Sequence, residues 1–107
     1  MSREVLISPI ARSELVSLYV WYEAEGGLEL AQQFRATTTA TLDDLAEQPG
    51  LGRLWEARRT KLKGLRKWNV GKPFGSVLIF YRITTNGIEV LRFLRGERDL
   101  DAELSED

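Results

Sequence analysis

The stretch that decides the fold reads Lys61-Leu62-Lys63-Gly64-Leu65-Arg66-Lys67-Trp68-Asn69-Val70, then Ser76–Ile83 (SVLIFYRI), then Ile88–Arg95 (IEVLRFLR). Each run is short, rich in β-branched and aromatic residues, and bounded by Gly, Pro or Asn, which is how neighbouring strands are written. Together they predict a three-stranded antiparallel meander. Thr84-Thr85-Asn86-Gly87 joins the last two runs and ends in Asn-Gly, whose tolerance of positive φ suits a tight hairpin. Gly71-Lys72-Pro73-Phe74-Gly75 joins the first two and is long enough to flex. Val77–Tyr81 is apolar on both faces, so it is expected to be the central strand, with helices on one side and a partial shield on the other. Trp68 and Tyr81 read as core or half-core positions at in-strand spacing.

Outward from this stretch, the charge pattern is the next signal. Arg53 to Lys72 holds eight lysines and arginines against Glu56 alone, a local +7 in a chain of net charge −1. Such a segment focuses positive potential on one face and suits an acidic peptide or nucleic acid. The plainer reading is a charged edge strand that resists sheet-to-sheet association. Both readings stay open at this level.

The chain before the meander supplies its cover. Val5-Leu6-Ile7 is a short strand ending at Ser8-Pro9, where a serine able to cap and a proline with no N–H to leave unpaired start a helix. Leu15, Leu18, Tyr19 and Tyr22 fall on one face of that helix. Gly26-Gly27 stops it. A second helix carries Leu30 or Ala31, Phe34, Thr38, Thr41, Leu42 and Leu45 on one stripe and ends at Pro49-Gly50. Four threonines, Thr37, Thr38, Thr39 and Thr41, lower its propensity, so packing must hold it. The two helices form an antiparallel hairpin. Gly50 to Thr60 reads as a loop, and residues 100–107 as an acidic tail. The fold class is therefore α+β, in the order β-α-α-β-β-β, with the helical hairpin packed on a small, mainly antiparallel sheet.

At 107 residues the chain is a single domain, and one that buries roughly two-thirds of its unfolded surface. With no cysteine there is no disulfide, thiolate metal site or thiol nucleophile; with no histidine the commonest general base and metal ligand are gone. No metal-ligand spacing is visible and no cofactor is expected. No apolar run approaches the roughly 18 residues a bilayer span needs, and a cytoplasmic location is expected.

Several of these pieces carry a resemblance. Gly64-Leu65-Arg66-Lys67-Trp68, Val77–Arg82, Gly87-Ile88-Glu89-Val90-Leu91 and Gly96-Glu97-Arg98-Asp99-Leu100, in that order, resemble ParE-type toxins of the RelE/ParE superfamily. Leu45–Arg53, with its helix end, proline and Gly-Arg pair, is similar to the same family. The resemblance implies the toxin of a type II toxin–antitoxin module, neutralised by a small ParD-like antitoxin and poisoning DNA gyrase. It places the antitoxin on Leu15, Leu18, Tyr19 and Tyr22 of the hairpin and on Lys61, Lys63, Arg66, Lys67 and Arg82. It places target inhibition on Arg95, Arg98 and Asp99, where many members carry His in the position of Arg95. The superfamily's other branch implies a ribosome-dependent mRNA endonuclease, for which Lys61, Lys63 and Arg66 are the candidate catalytic cations. That chemistry calls for an arginine where this chain has Leu78 and for a tail tyrosine, and no tyrosine follows Tyr81. Action by binding rather than catalysis is the expectation.

Overall fold

A computed structural model of the protein describes residues 3–55 and 64–96. Its elements are β1 (Glu4–Ile7), α1 (Pro9–Glu47), a 3-10 turn (Pro49–Leu51), β2 (Arg53–Leu54), β3 (Arg66–Asn69), β4 (Val77–Ile83) and β5 (Gly87–Arg95). The sheet runs in the order β1-β5-β4-β3-β2, antiparallel except for β1, which pairs parallel with β5. The meander is therefore real and β4 is its centre. Arg58, Arg59, Lys61 and Lys63 of the basic run lie outside the described residues, as do Arg98, Asp99 and the acidic tail.

Apolar residues on both faces of β4 build two cores. Val77, Ile79 and Tyr81 point at the helices and join Phe34, Phe74, Ile88, Val90 and Phe93 in the larger one. Leu78 and Phe80 point the other way and pack with Leu65, Leu94 and Trp55, whose ring meets that of Phe80 edge-on at 5.4 Å. The register slips between Phe80 and Tyr81, which face Arg92 and Val90, so Leu91 is the extra residue of a bulge.

The two connections differ from expectation. The Gly71–Gly75 turn does not hang free, because Phe74 is buried, its ring packing edge-on against Tyr22 at 5.0 Å and Phe34 at 5.3 Å. The Phe74 N–H also donates to Gly71 O, and the Val77 N–H donates to Phe74 O. At the other connection, neither Asn86 nor Gly87 takes a positive φ. Glycine is needed at position 87 for a different reason: β1 runs so close that a Cβ there would overlap the Glu4 backbone.

Ser8 begins α1 as its spacing suggests. Its Oγ accepts from the Ala11 N–H at 3.1 Å and donates to Leu91 O at 3.0 Å, so one side chain caps the helix and continues the ladder where β1 stops. Further along, Glu14 accepts the Phe93 N–H at 3.0 Å and grips Arg92 through two oxygens, closing the β5 edge with a helical side chain. The helical run breaks at Gly27, whose φ of 86° and ψ of 177° lie outside any helix. A straight helix would hold Tyr22 and Phe34 about 18 Å apart, yet their ring centroids stand 4.7 Å apart. The two arms of α1 are the expected antiparallel hairpin.

The segment after the hairpin is more ordered than a loop. Its 3-10 turn leads into β2, a two-residue edge strand pairing Arg53 with Lys67 and Leu54 with Arg66. Tyr81 fastens the turn to the sheet: its hydroxyl donates to Pro49 O at 2.6 Å and accepts the Gly52 N–H at 2.8 Å.

Candidate functional site

Because one arm covers only part of the other's apolar stripe, the hairpin leaves a groove between them. It is lined by Ile7, Arg12, Leu15, Val16 and Tyr19 on one side and by Phe34, Arg35, Thr38, Thr39 and Leu42 on the other, with a volume of about 530 Å³. Leu15 and Tyr19 are half-buried walls of this groove, whereas Leu18 and Tyr22 turn inward and are buried. Tyr22 is wedged among Trp21, Phe34 and Phe74. Of the four stripe residues, two therefore remain available to a partner.

The groove's other walls are residues the sequence reading did not mark as site residues. Val16 is one of them, and like Val20 one turn on, outside the lining, it stays more than half exposed, at 59% and 56%. Arg12 and Arg35 border the apolar floor, and neither side chain has an ion pair or hydrogen bond with the described residues. An apolar trough with two available guanidinium groups fits a segment that is apolar on one face and acidic at its margins.

The described members of the cationic set expected beside the hairpin, Arg66, Lys67 and Arg82, do not form one surface with it. Arg66 lies on the helix-facing side of the sheet and its Nη1 donates to Gly52 O at 2.7 Å. Together with Tyr81 it grips both polar groups of the Gly52 peptide positions. Burial pushes the Tyr81 phenol above its ordinary value, while the bond from the Gly52 N–H and the charge of Arg66 pull it back. Lys67 faces Phe80 and Arg82 follows on the same far side, where Arg82 pairs with Glu89 at 2.6 Å. Lys67 and Arg82 are thus separated from Leu15 and Tyr19 by the thickness of the sheet.

Arg95 sits at the end of β5 with its guanidinium 4.2 Å from the Trp21 ring centroid, a cation–π stack against the first arm. The stack forms one wall of a second cleft of about 350 Å³, lined also by Ser13, Glu14, Ser17 and Leu18. Among the described residues no group of carboxylates, histidines or cysteines is arranged to hold a metal, and no helix is long and apolar enough to cross a membrane.

Comparison with known proteins agrees with this architecture. Residues 5–100 match the family described as the ParE toxin of type II toxin-antitoxin system, parDE. The chain is 31% identical over 105 residues to a protein named Toxin ParE1 from Mycobacterium tuberculosis, covering 97% of this chain and all of that relative. It is 29% identical over 98 residues to Toxin ParE1 from Caulobacter vibrioides, covering 92% and 94% of the two chains. A solved structure titled as the chromosomal ParDE TA system from P. aeruginosa superposes with a TM-score of 0.68 at 19% identity, over 90% of this chain and 98% of that one. That structure shares the fold: helices over a mainly antiparallel sheet. With the family match spanning nearly its whole length, this chain belongs to the ParE toxins of type II toxin–antitoxin systems.

Proposed function

We propose that this ParE toxin is held inactive by a cognate ParD-like antitoxin seated in the groove of the helical hairpin, and that once released it inhibits DNA gyrase in the cytoplasm. The observation that carries the antitoxin half is the groove itself: Leu15, Val16, Tyr19, Phe34 and Leu42 form an apolar trough, and Arg12 and Arg35 offer cations to acidic residues of the partner. The gyrase half rests on the family resemblance, which joins Arg95 with Arg98 and Asp99 at the C-terminal end. Lys61, Lys63 and Lys67 are further candidate cations for an acidic partner.

Binding rather than catalysis also agrees with what the arginines do. Arg66, one of three cations the RNA-cleaving alternative would use, spends its guanidinium on Gly52 O, and the strand position where that chemistry calls for arginine holds buried Leu78. The test is the purified chain, separated from antitoxin, in parallel gyrase supercoiling and ribosome-bound mRNA cleavage assays. Lost supercoiling or trapped cleaved DNA, with intact mRNA, is expected. Cut mRNA with normal supercoiling would replace this reading with the nuclease one.

A further inference from the structure

The groove floor contains a polar atom that its apolar surroundings do not explain. Thr38 is 2% exposed and lines the groove, yet its Oγ1 has no hydrogen-bond partner. A buried threonine in a helix ordinarily turns its hydroxyl back onto the preceding turn. Thr41 does so, donating to Thr37 O at 2.8 Å. Thr38 does not: its hydroxyl leaves the Phe34 carbonyl one turn back unused, and it lines the groove with the side chains of Phe34, Leu42, Leu15 and Tyr19. An unpaired buried hydroxyl costs the fold stability, whereas an aliphatic side chain of the same shape would not.

We propose that Thr38 is the specificity-determining contact of the groove: its Oγ1 is completed by a hydrogen-bonding side chain at the centre of an otherwise apolar antitoxin segment whose carboxylates reach Arg12 and Arg35. This rests on the reading that the antitoxin occupies the groove. Along the first arm the lining extends from Arg12 to Tyr19, which at the helical rise is about 10 Å, or two turns of a partner helix. The Tyr22–Phe34 contact sets the second arm antiparallel, so Arg35 lies toward the Tyr19 end and Arg12 at the opposite one. The matching segment therefore carries two acids about two turns apart, with one amide, hydroxyl or carboxyl between them. A purely apolar segment would fill the trough but leave Thr38 unpaired, and such a burial discriminates more sharply than a missing methylene does.

The test uses the full chain and the antitoxin that relieves its toxicity on co-expression, comparing Thr38→Val and Thr38→Ser with the unaltered protein. Valine keeps the shape and removes the hydroxyl; serine keeps the hydroxyl. Thr38→Val is expected to leave the unfolding temperature of the isolated toxin unchanged or higher while weakening the complex about 10- to 100-fold. Thr38→Ser is expected to bind within about threefold of the parent. Binding of Thr38→Val within that same margin overturns the proposal, and so does a clear loss of stability in the isolated toxin, which would mean the hydroxyl is satisfied inside the fold. A Leu15→Asp, Tyr19→Asp toxin separates the two levels. If it binds poorly while Thr38→Val binds normally, only the role of Thr38 falls; if it binds normally, the groove itself is the wrong place.

Discussion

Replacing Gly87 with alanine is expected to destabilise the toxin by about 3 kcal/mol, read as a lower denaturant midpoint in chemical unfolding. The added Cβ would overlap Glu4 O and stand 2.8 Å from Glu4 N. These are backbone atoms, so no rotamer change relieves the contact. Relief requires β1 to move away from β5, which sacrifices the parallel register from Glu4↔Gly87 to Ile7↔Val90 and the bond from Glu4 N–H to Asn86 O. Val5 and Ile7 would then lose their seat on the larger core. Alanine at Gly75, where a Cβ meets nothing within 4 Å, is the control expected to behave like the parent. A Gly87→Ala protein with the parent's midpoint would show that β1 does not pair as described.

Tyr81→Phe carries the second large effect. The ring keeps its place in the core, but Pro49 O and the Gly52 N–H lose their shared partner, for a cost of about 2 kcal/mol. The same residue gives the stability a pH signature. Burial raises the phenol above its ordinary value of 10.0, so the folded chain keeps a proton that the unfolded chain surrenders. The associated stability is complete below that value and drains away as pH rises through the raised one. The parent protein is expected to lose unfolding free energy in this alkaline window and the Phe variant to lose less. Equal alkaline slopes in the two proteins would remove Tyr81 as the cause.

These two residues also mark where sequence reading stops. The strands announced themselves because β4 is apolar on both faces and its neighbours are bounded by turn residues, and the hairpin was legible because Ser8-Pro9 opens it and Gly26-Gly27 divides it. Gly87 was recognisable as a turn glycine, but the reason for it was not. Asn-Gly suggests a need for positive φ, while the actual constraint is the approach of β1 from the far end of the chain. Tyr81 was legible as core, but the bolt it forms depends on Pro49 and Gly52, whose positions only the folded sheet defines. β2 escaped notice because two residues, Arg53 and Leu54, carry no periodicity.

The candidate site divided in the same way. Helical spacing puts Leu15, Leu18, Tyr19 and Tyr22 on one stripe, and no spacing rule says how much of that stripe a second helix covers. The second arm, through Phe34, claims Tyr22; Leu15 and Tyr19 are left at the margin and become groove walls. Arg12, Arg35 and Thr38 were invisible as a set because they belong to different arms. Within the described part of the basic run, alternation along β3 sends Arg66 and Lys67 to opposite faces of the sheet, which charge density alone does not reveal.

The groove as the antitoxin's seat is the claim on which the rest depends. The most direct measurement is the affinity of the co-expressed antitoxin for the Leu15→Asp, Tyr19→Asp toxin, alongside that toxin's unfolding midpoint. Both side chains are half-buried at the groove wall, so the fold should survive while two carboxylates enter the apolar trough. The account predicts a loss of at least about 100-fold in affinity with folding intact. A folded double variant that binds as tightly as the parent would contradict it and move the antitoxin to another face.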